Sequence, residues 1–300
     1  MKSLRVIVTG GAGFLGSHLV EQLHDAEVFV PRSKEYDLRT RDGVARLFKA
    51  FPCDVVVHLA TISGGVGFMK AKPGEIFYEN LMMNTHMLEA ARKNNVKKFI
   101  AIGTGLMYPE QAAIPLQETS LFQGYPHELT ACYGTAMRSF LVQAQLYRKQ
   151  YDFKTVFLIL ANLYGPGDHF DSEKSHVIPD LIRKFATQDE VTLWGTGKAA
   201  REFLHVRDAA HAIIAALEYD DPEPINIGTG IATPIKEVAE IIAKHLAFKG
   251  NMLWDTSKPE GQLKRCFAVK RMKEDLGFTP SMSLDEGLRE TIDWYTGTLK

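Results

Sequence analysis

Apolar residues recur along this chain in two alternating rhythms. Arg5-Val6-Ile7-Val8 is a short β-branched run that predicts a strand, and a glycine turn follows it. Ser17 to His24 has helical spacing, Val28-Phe29-Val30 predicts a second strand, and Val44 to Phe51 a helix. Asp54 to Leu59 predicts a buried strand, Asn80 to Asn94 a long amphipathic helix, and Lys98 to Ile102 another strand. Tyr133 to Tyr151 is helical in pattern, and Thr155 to Leu160 is strand-like. Strands alternating with helices predict an α/β fold with a doubly wound parallel sheet. After Gly165-Pro166-Gly167 the pattern loosens, and Phe203 to Tyr219 reads as sheet edge followed by helix. The expected organisation is a sheet domain over residues 1–165, to which 203–230 returns, and a smaller C-terminal α/β lobe over 166–300.

Composition narrows the classes. Hydrophobic residues make up 45% and charged residues 24% of 300 positions, enough apolar content for a sizeable core. The formal net charge is -1, so no global field favours nucleic acid or an anionic membrane, and an anionic ligand must be held by local groups. No apolar run approaches the ~20 residues that span a bilayer. Met1 to Val8 enters the first strand pattern at once, which leaves no room for a signal peptide. Cys53, Cys132 and Cys266 have no metal-ligand spacing and are odd in number. They read as reduced thiols, and the chain as a cytoplasmic protein with no metal site.

The turn after the first strand reads Thr9-Gly10-Gly11-Ala12-Gly13-Phe14-Leu15-Gly16. Gly10 permits a tight turn, Gly13 lets backbone approach a pyrophosphate, and Gly16 lets the helix pack on the strand. The helix start offers unpaired N–H groups and a positive dipole end. In this strand–turn–helix context the pattern predicts a Rossmann-type dinucleotide site, with Phe14 and Leu15 beside it. After the second strand, where an acid would bind the ribose 2′-hydroxyl of NAD, the sequence reads Val30-Pro31-Arg32-Ser33-Lys34. A guanidinium can grip a 2′-phosphate, so Arg32 favours NADP over the alternative, NAD. Asp37 and Leu38 lie where an adenine could be sandwiched and hydrogen-bonded, and Leu59 and Ala60 end the next strand at the same sheet edge.

With these motifs the chain resembles the extended short-chain dehydrogenase/reductases, and within them the GDP-L-fucose synthase branch, the GDP-4-keto-6-deoxymannose 3,5-epimerase/4-reductases. The resemblance covers nearly the whole chain. It rests on the glycine turn, Ile102-Gly103-Thr104-Gly105-Leu106-Met107-Tyr108-Pro109, Tyr133, Asn162-Leu163-Tyr164-Gly165-Pro166, Ser175-His176-Val177-Ile178-Pro179, Arg201-Glu202-Phe203-Leu204-His205-Val206 and Asn226-Ile227-Gly228-Thr229-Gly230. It implies that Thr104 and Tyr133 hydrogen-bond the sugar C4 oxygen, and that Tyr133 moves the proton as hydride passes to or from nicotinamide. It implies that His176 is the epimerising base, that Asn162 and Leu163 touch cofactor and substrate, and that His176 also borders the cofactor.

Two groups of that pattern are missing. The lysine position is Met137, whose thioether carries no charge and donates no hydrogen bond. The cysteine position is Leu106, which neither gives nor takes a proton. Without a nearby cation Tyr133 is expected to keep a phenol-like pKa near ~10 and to be a poor base at neutral pH. Cysteine–histidine epimerisation is expected to fail, and Cys132 points about 100° away from Tyr133 around a helix. Lys184, Trp194, Arg201 and Arg265 match positions where the resemblance places the nucleotide diphosphate and its base. Trp194 suits base stacking and core filling equally, and Lys264 with Arg265 lies in a basic loop. The function expected is an NADP-dependent nucleotide-sugar, most simply GDP-sugar, epimerase/reductase with altered catalytic residues. The alternatives are a catalytically weak regulatory or partner protein on the same scaffold, and a single-step epimerase or dehydratase. The resemblance also implies a homodimer built on the Asn80 and Tyr133 helices.

Overall fold

A computed structural model describes residues 3–171, 175–258 and 263–299. The first part of the chain forms β1 (Leu4–Thr9), α1 (Phe14–Gln22), β2 (Ala26–Phe29), α2 (Arg41–Ala50), β3 (Val55–His58), α3 (Val66–Ala71), α4 (Pro73–Lys93), β4 (Lys98–Thr104), α5 (Ala131–Tyr151) and β5 (Thr155–Leu160). Then come β6 (Asn162–Tyr164), α6 (Val177–Thr187), β7 (Glu190–Trp194), β8 (Ala200–His205), α7 (Val206–Ala215), β9 (Ile225–Ile227), β10 (Ala232–Pro234), α8 (Ile235–His245), β11 (Asn251–Asp255), α9 (Lys270–Glu274) and α10 (Leu284–Thr298).

Six strands make one sheet in the order β2-β1-β3-β4-β5-β9, and every pairing in it is parallel. Side chains alternate between faces along a strand, so both faces of this sheet need cover. Ile7, Val56, Phe99 and Ala101 enter one core with residues of α2, α4 and α5. Val6, Val8, Val55, Val57 and Ile100 enter the other with α1 and α7. This is the doubly wound parallel architecture expected from the sequence.

The chain steps from β1 to β2 on one side and to β3 on the other. The order reverses between β1 and β3, and in such sheets a crevice opens there beyond the strand carboxyl ends. Gly10 and Leu59 lie at those ends.

The smaller lobe holds a three-stranded sheet, β10-β8-β6, and a two-stranded one, β11-β7. Its own core gathers Ile182, Phe185, Val238, Ile242, Leu288 and Ile292 from α6, α8 and α10. Of the segment 203–230, α7 packs on α1 and β9 pairs with β5, whereas β8 stays in the small sheet.

Two elements differ from the sequence expectation. The long helix begins at Pro73 rather than Asn80, with proline in the first turn where its missing N–H is no loss. Its buried face carries Asn80 and Asn84 among Ile76, Met83 and Met87, which interrupts the apolar rhythm. A short strand, β6, opens at Asn162 where the sequence pattern predicts no element; three residues pairing with a partner about forty positions later leave no local signal.

Among the described residues no helix is long and apolar enough to cross a membrane, and no cluster of His, Cys, Asp or Glu is suited to hold a metal ion. The three cysteines are unpaired thiols.

Candidate active site

The glycine turn is pressed against the end of β3. Gly10 has φ +69°, and a Cβ there would lie 2.8 Å from the Ala60 nitrogen and 2.9 Å from the Leu59 carbonyl carbon. Any side chain would therefore collide with backbone as well as strain the turn. Gly13 stands at the N-cap of α1 with no side chain to satisfy the first N–H groups. His18 on α1 is bonded through Nε2 to the Pro166 carbonyl at 2.8 Å, which ties this helix to the loop after β6.

Arg32 is exposed beyond β2, and among the described residues its guanidinium has no ion-pair partner. Arg39 instead bonds Asp37 at 2.8 Å and Glu79 at 3.0 Å, and its hydrogen bonds hold the Asp37 carboxyl below the usual range. Leu38 is buried in the core with only 8% exposure.

Tyr133 lies in the first turn of α5, and burial pushes its phenol up from the ordinary value. Its hydroxyl is 3.0 Å from Thr61 Oγ1, and the Ser63 hydroxyl faces it as well. Thr61 Oγ1 is in turn 2.8 Å from Asn80 Oδ1. The next residue, Gly134, carries no Cβ because one would sit 2.2 Å from the Leu106 carbonyl oxygen. That close approach brings the Tyr133 turn against the short 3-10 turn Gly105–Met107, in which the Leu106 N–H donates to Thr104 Oγ1 at 3.4 Å.

Met137 is one helical turn further on and 2% exposed. Four polar groups run towards it in one direction. Ala60 N donates to Thr9 Oγ1 (3.2 Å), and Thr9 Oγ1 is 2.7 Å from His58 Nδ1. His58 Nε2 is 3.1 Å from Asn84 Oδ1, and Asn84 Nδ2 donates to Met137 Sδ at 3.8 Å. Burial pushes the His58 pKa down to about 4, so the ring is neutral and donates from Nε2 only.

A cavity opens beside this turn, lined by Thr104, Leu106, Asn162, Glu202, Arg265 and Phe267. Asn162 is exposed and donates to the Glu202 carbonyl at 2.9 Å. Burial and the neighbouring Arg201 charge push the Arg265 pKa down to about 10. Burial lowers Arg201 likewise. Two guanidiniums converging in a poorly hydrated place favour an anion between them.

Lys264 forms a bridge with Ala200, and Arg265 N donates to the Ala200 carbonyl, so the basic loop is stitched to β8 here. Lys184 is ion-paired to Asp180 at 2.7 Å. Trp194 is 65% exposed at the end of β7, which removes the core-filling reading. Lys258 Nζ stands 5.9 Å from its ring centre.

His176 is exposed at the N-cap of α6, with Nδ1 4.0 Å from Asp168 Oδ1. Desolvation and the neighbouring His169 lower its pKa. Sequence reasoning missed Asp168, which reads as an ordinary turn residue after Gly165-Pro166-Gly167. Its carboxyl is buried, Oδ2 has no hydrogen-bond partner among the described residues, and burial pushes it up to about 7. The folded state thus keeps this proton from about pH 4 to about 7 while the unfolded chain loses it. Stability is lost as pH rises through that window, by at most about 4 kcal/mol. Asp168→Asn is expected to raise the melting temperature at pH 8 by several degrees and to leave it unchanged at pH 4. Melting curves for both proteins across pH 4–9 check this; parallel curves would exclude it.

The chain is similar to known proteins over nearly its whole length. A GDP-L-fucose synthase from Escherichia coli (strain K12) is 34% identical over 315 residues, covering 98% of this chain and 97% of that protein. Two solved structures from Campylobacter jejuni are each 29% identical and cover 99% of both chains. One, a GDP-6-OMe-4-keto-L-xylo-heptose reductase, superposes with a TM-score of 0.93. The other, a GDP-mannoheptose C4 reductase with NADP bound, superposes with 0.90. The family described as "NAD dependent epimerase/dehydratase" matches residues 6–228, and this chain belongs to it.

Proposed function

We propose that this chain is an NADP(H)-dependent GDP-sugar oxidoreductase of the epimerase/reductase type, which reduces a C4 ketone and no longer epimerises C3 and C5. One observation carries the reading. The glycine turn touches Leu59 and Ala60, and the next residue, Thr61, bonds the Tyr133 phenol. A dinucleotide seat and a proton-bearing hydroxyl therefore share one crevice. The relatives named above act on GDP-sugars, and two are described as reductases.

The residues present fit the dinucleotide: the turn at Gly10, Gly13 and Gly16 leaves no side chain in its path, and the α1 start is uncapped. That turn, with Phe14 and Leu15, would hold the pyrophosphate and Arg32 the 2′-phosphate. Asp37, Leu38, Leu59 and Ala60 would border the adenosine end; Asn162, Leu163 and His176 the nicotinamide end. When bound, NADPH supplies the hydride. Tyr133, its proton retained by burial, hands that proton to the ketone oxygen, and Thr104 orients the same oxygen. Arg201 and Arg265 would grip the diphosphate. Trp194 is free to stack on the base, and Lys184 must leave Asp180 to reach a phosphate. Leu106 offers nothing at C3 or C5.

The dimer expected from the sequence would form on α4 and α5. These helices pack side by side, and α5 leaves Val142, Leu146 and Tyr151 exposed at 39%, 56% and 44%.

The test supplies GDP-4-keto sugars and NADPH in deuterated water. Expected are a loss of absorbance at the NADPH band, a C4 alcohol as product, and no deuterium at C3 or C5. Saturable NADPH binding without turnover on any GDP-sugar would replace the enzyme with a binding protein. Deuterium at either carbon would restore the epimerase.

A further inference from the structure

The crevice holds a polar device that the proposed reaction does not by itself require. Asn80 is fixed by backbone: its Nδ2 donates to the Ile62 and Ile76 carbonyls at 2.8 and 2.7 Å, and its Oδ1 accepts the Ile62 N–H at 3.0 Å. The amide therefore has only one orientation that satisfies all three bonds. Oδ1 is an acceptor, so Thr61 Oγ1, 2.8 Å away, must donate to it. A threonine hydroxyl has one proton. With that proton given to Asn80, Thr61 can only accept from the Tyr133 phenol, 3.0 Å on the other side. The resting order is thus Tyr133 to Thr61 to Asn80.

We propose that Thr61, set by Asn80, is the positioning residue of Tyr133 in the place of the absent cation: it accepts the phenol's hydrogen bond at rest and turns its own proton to the phenolic oxygen once that proton has left. The proposal rests on the reading of Tyr133 as proton donor. In the step itself the Tyr133 O–H bond breaks and its proton goes to the substrate oxygen, whose electron pair is freed as hydride reaches the carbon. The negative charge left on Tyr133 then receives the Thr61 O–H as a hydrogen bond. No bond of Thr61 breaks; its hydroxyl only rotates. Asn80 Oδ1 is not orphaned, because it keeps the Ile62 N–H. Thr61 and Ser63 are both exposed, which lets solvent return the proton to Tyr133.

Among the described residues no charged side chain shares this role. Burial, Thr61 and Ser63 are what act on the phenol. Of the elements packed on α5, α4 presents Glu75, Tyr78, Glu79, His86, Glu89, Arg92 and Lys93, β4 presents Lys98, and the turn before α5 presents His127 and Glu128. None of them acts on Tyr133. Thr61 was invisible in the sequence because its partner is 72 positions away.

The test places 3,5-difluorotyrosine at position 133, which brings the phenol's ionisation near neutrality, and follows its fluorine NMR shift with pH. Removing the hydroxyl in Thr61→Val takes a hydrogen bond from the phenolate, so the midpoint is expected to rise by about one to two pH units. Thr61→Ser keeps the hydroxyl and is expected to match the parent midpoint. In the protein with ordinary tyrosine, Thr61→Val is expected to lower kcat about ten- to a hundred-fold, with NADPH affinity and melting temperature held. An unshifted midpoint in Thr61→Val overturns the proposal. A shifted midpoint in a protein that turns over no GDP-sugar keeps the relay and overturns the proposed function instead.

Discussion

Tyr133→Phe is expected to lower the rate of ketone reduction by about 10²–10⁴-fold, the range that a positioned proton donor contributes. The change removes one oxygen from a buried ring and little else. Thr61 still donates to Asn80 Oδ1, so no buried partner is stranded and stability is expected to hold within about 1 kcal/mol. NADPH affinity is expected to stay within about two-fold, since the glycine turn does not touch the phenol directly. Steady-state rates with a GDP-4-keto sugar, a cofactor titration and a denaturant melt make the set. A rate that survives the loss of the hydroxyl would move the proton donor elsewhere, with His176 the next residue to replace.

The second large effect is on stability. Met137 is buried, and Asn84 turns its amide hydrogens towards the sulfur. An ammonium in that place meets donors instead of acceptors. Met137→Lys is therefore expected to destabilise the fold by about 3–5 kcal/mol, the usual cost of an uncompensated buried charge. Met137→Leu, which keeps the volume, is expected to cost less than about 1.5 kcal/mol. Relief would require the Asn84 amide to flip, His58 to move its proton to Nδ1, and Thr9 to reverse its bond. Histidine NMR can read that tautomer. If Met137→Lys were as stable as the parent protein, the surroundings would already be built for a cation, and the missing lysine would be a recent loss rather than a settled one.

Much of the large sheet was legible because its signals are local. β-branched runs, helical spacing and the glycine turn all fall within about a dozen residues. The small lobe was less so. β6 spans three residues and finds β8 across about forty positions, and Trp194 sits on a strand whose exposure only the assembled lobe decides. Site residues divide in the same way. Gly10 announced itself through its neighbours, whereas Thr61 and Asp168 matter through contacts made far along the chain or through burial. Lys184 is the exception: Asp180, one turn earlier on the same helix, was a readable partner for its charge.

The reversal of strand order between β1 and β3 has a mechanical consequence. Leu59 and Ala60, against which the glycine turn is pressed, lead directly to Thr61, whose oxygen faces the phenol. Close-packed backbone of that kind has little slack to absorb a displacement. A coenzyme seated on the glycine turn would bear on the same short stretch of backbone that carries the hydroxyl facing Tyr133.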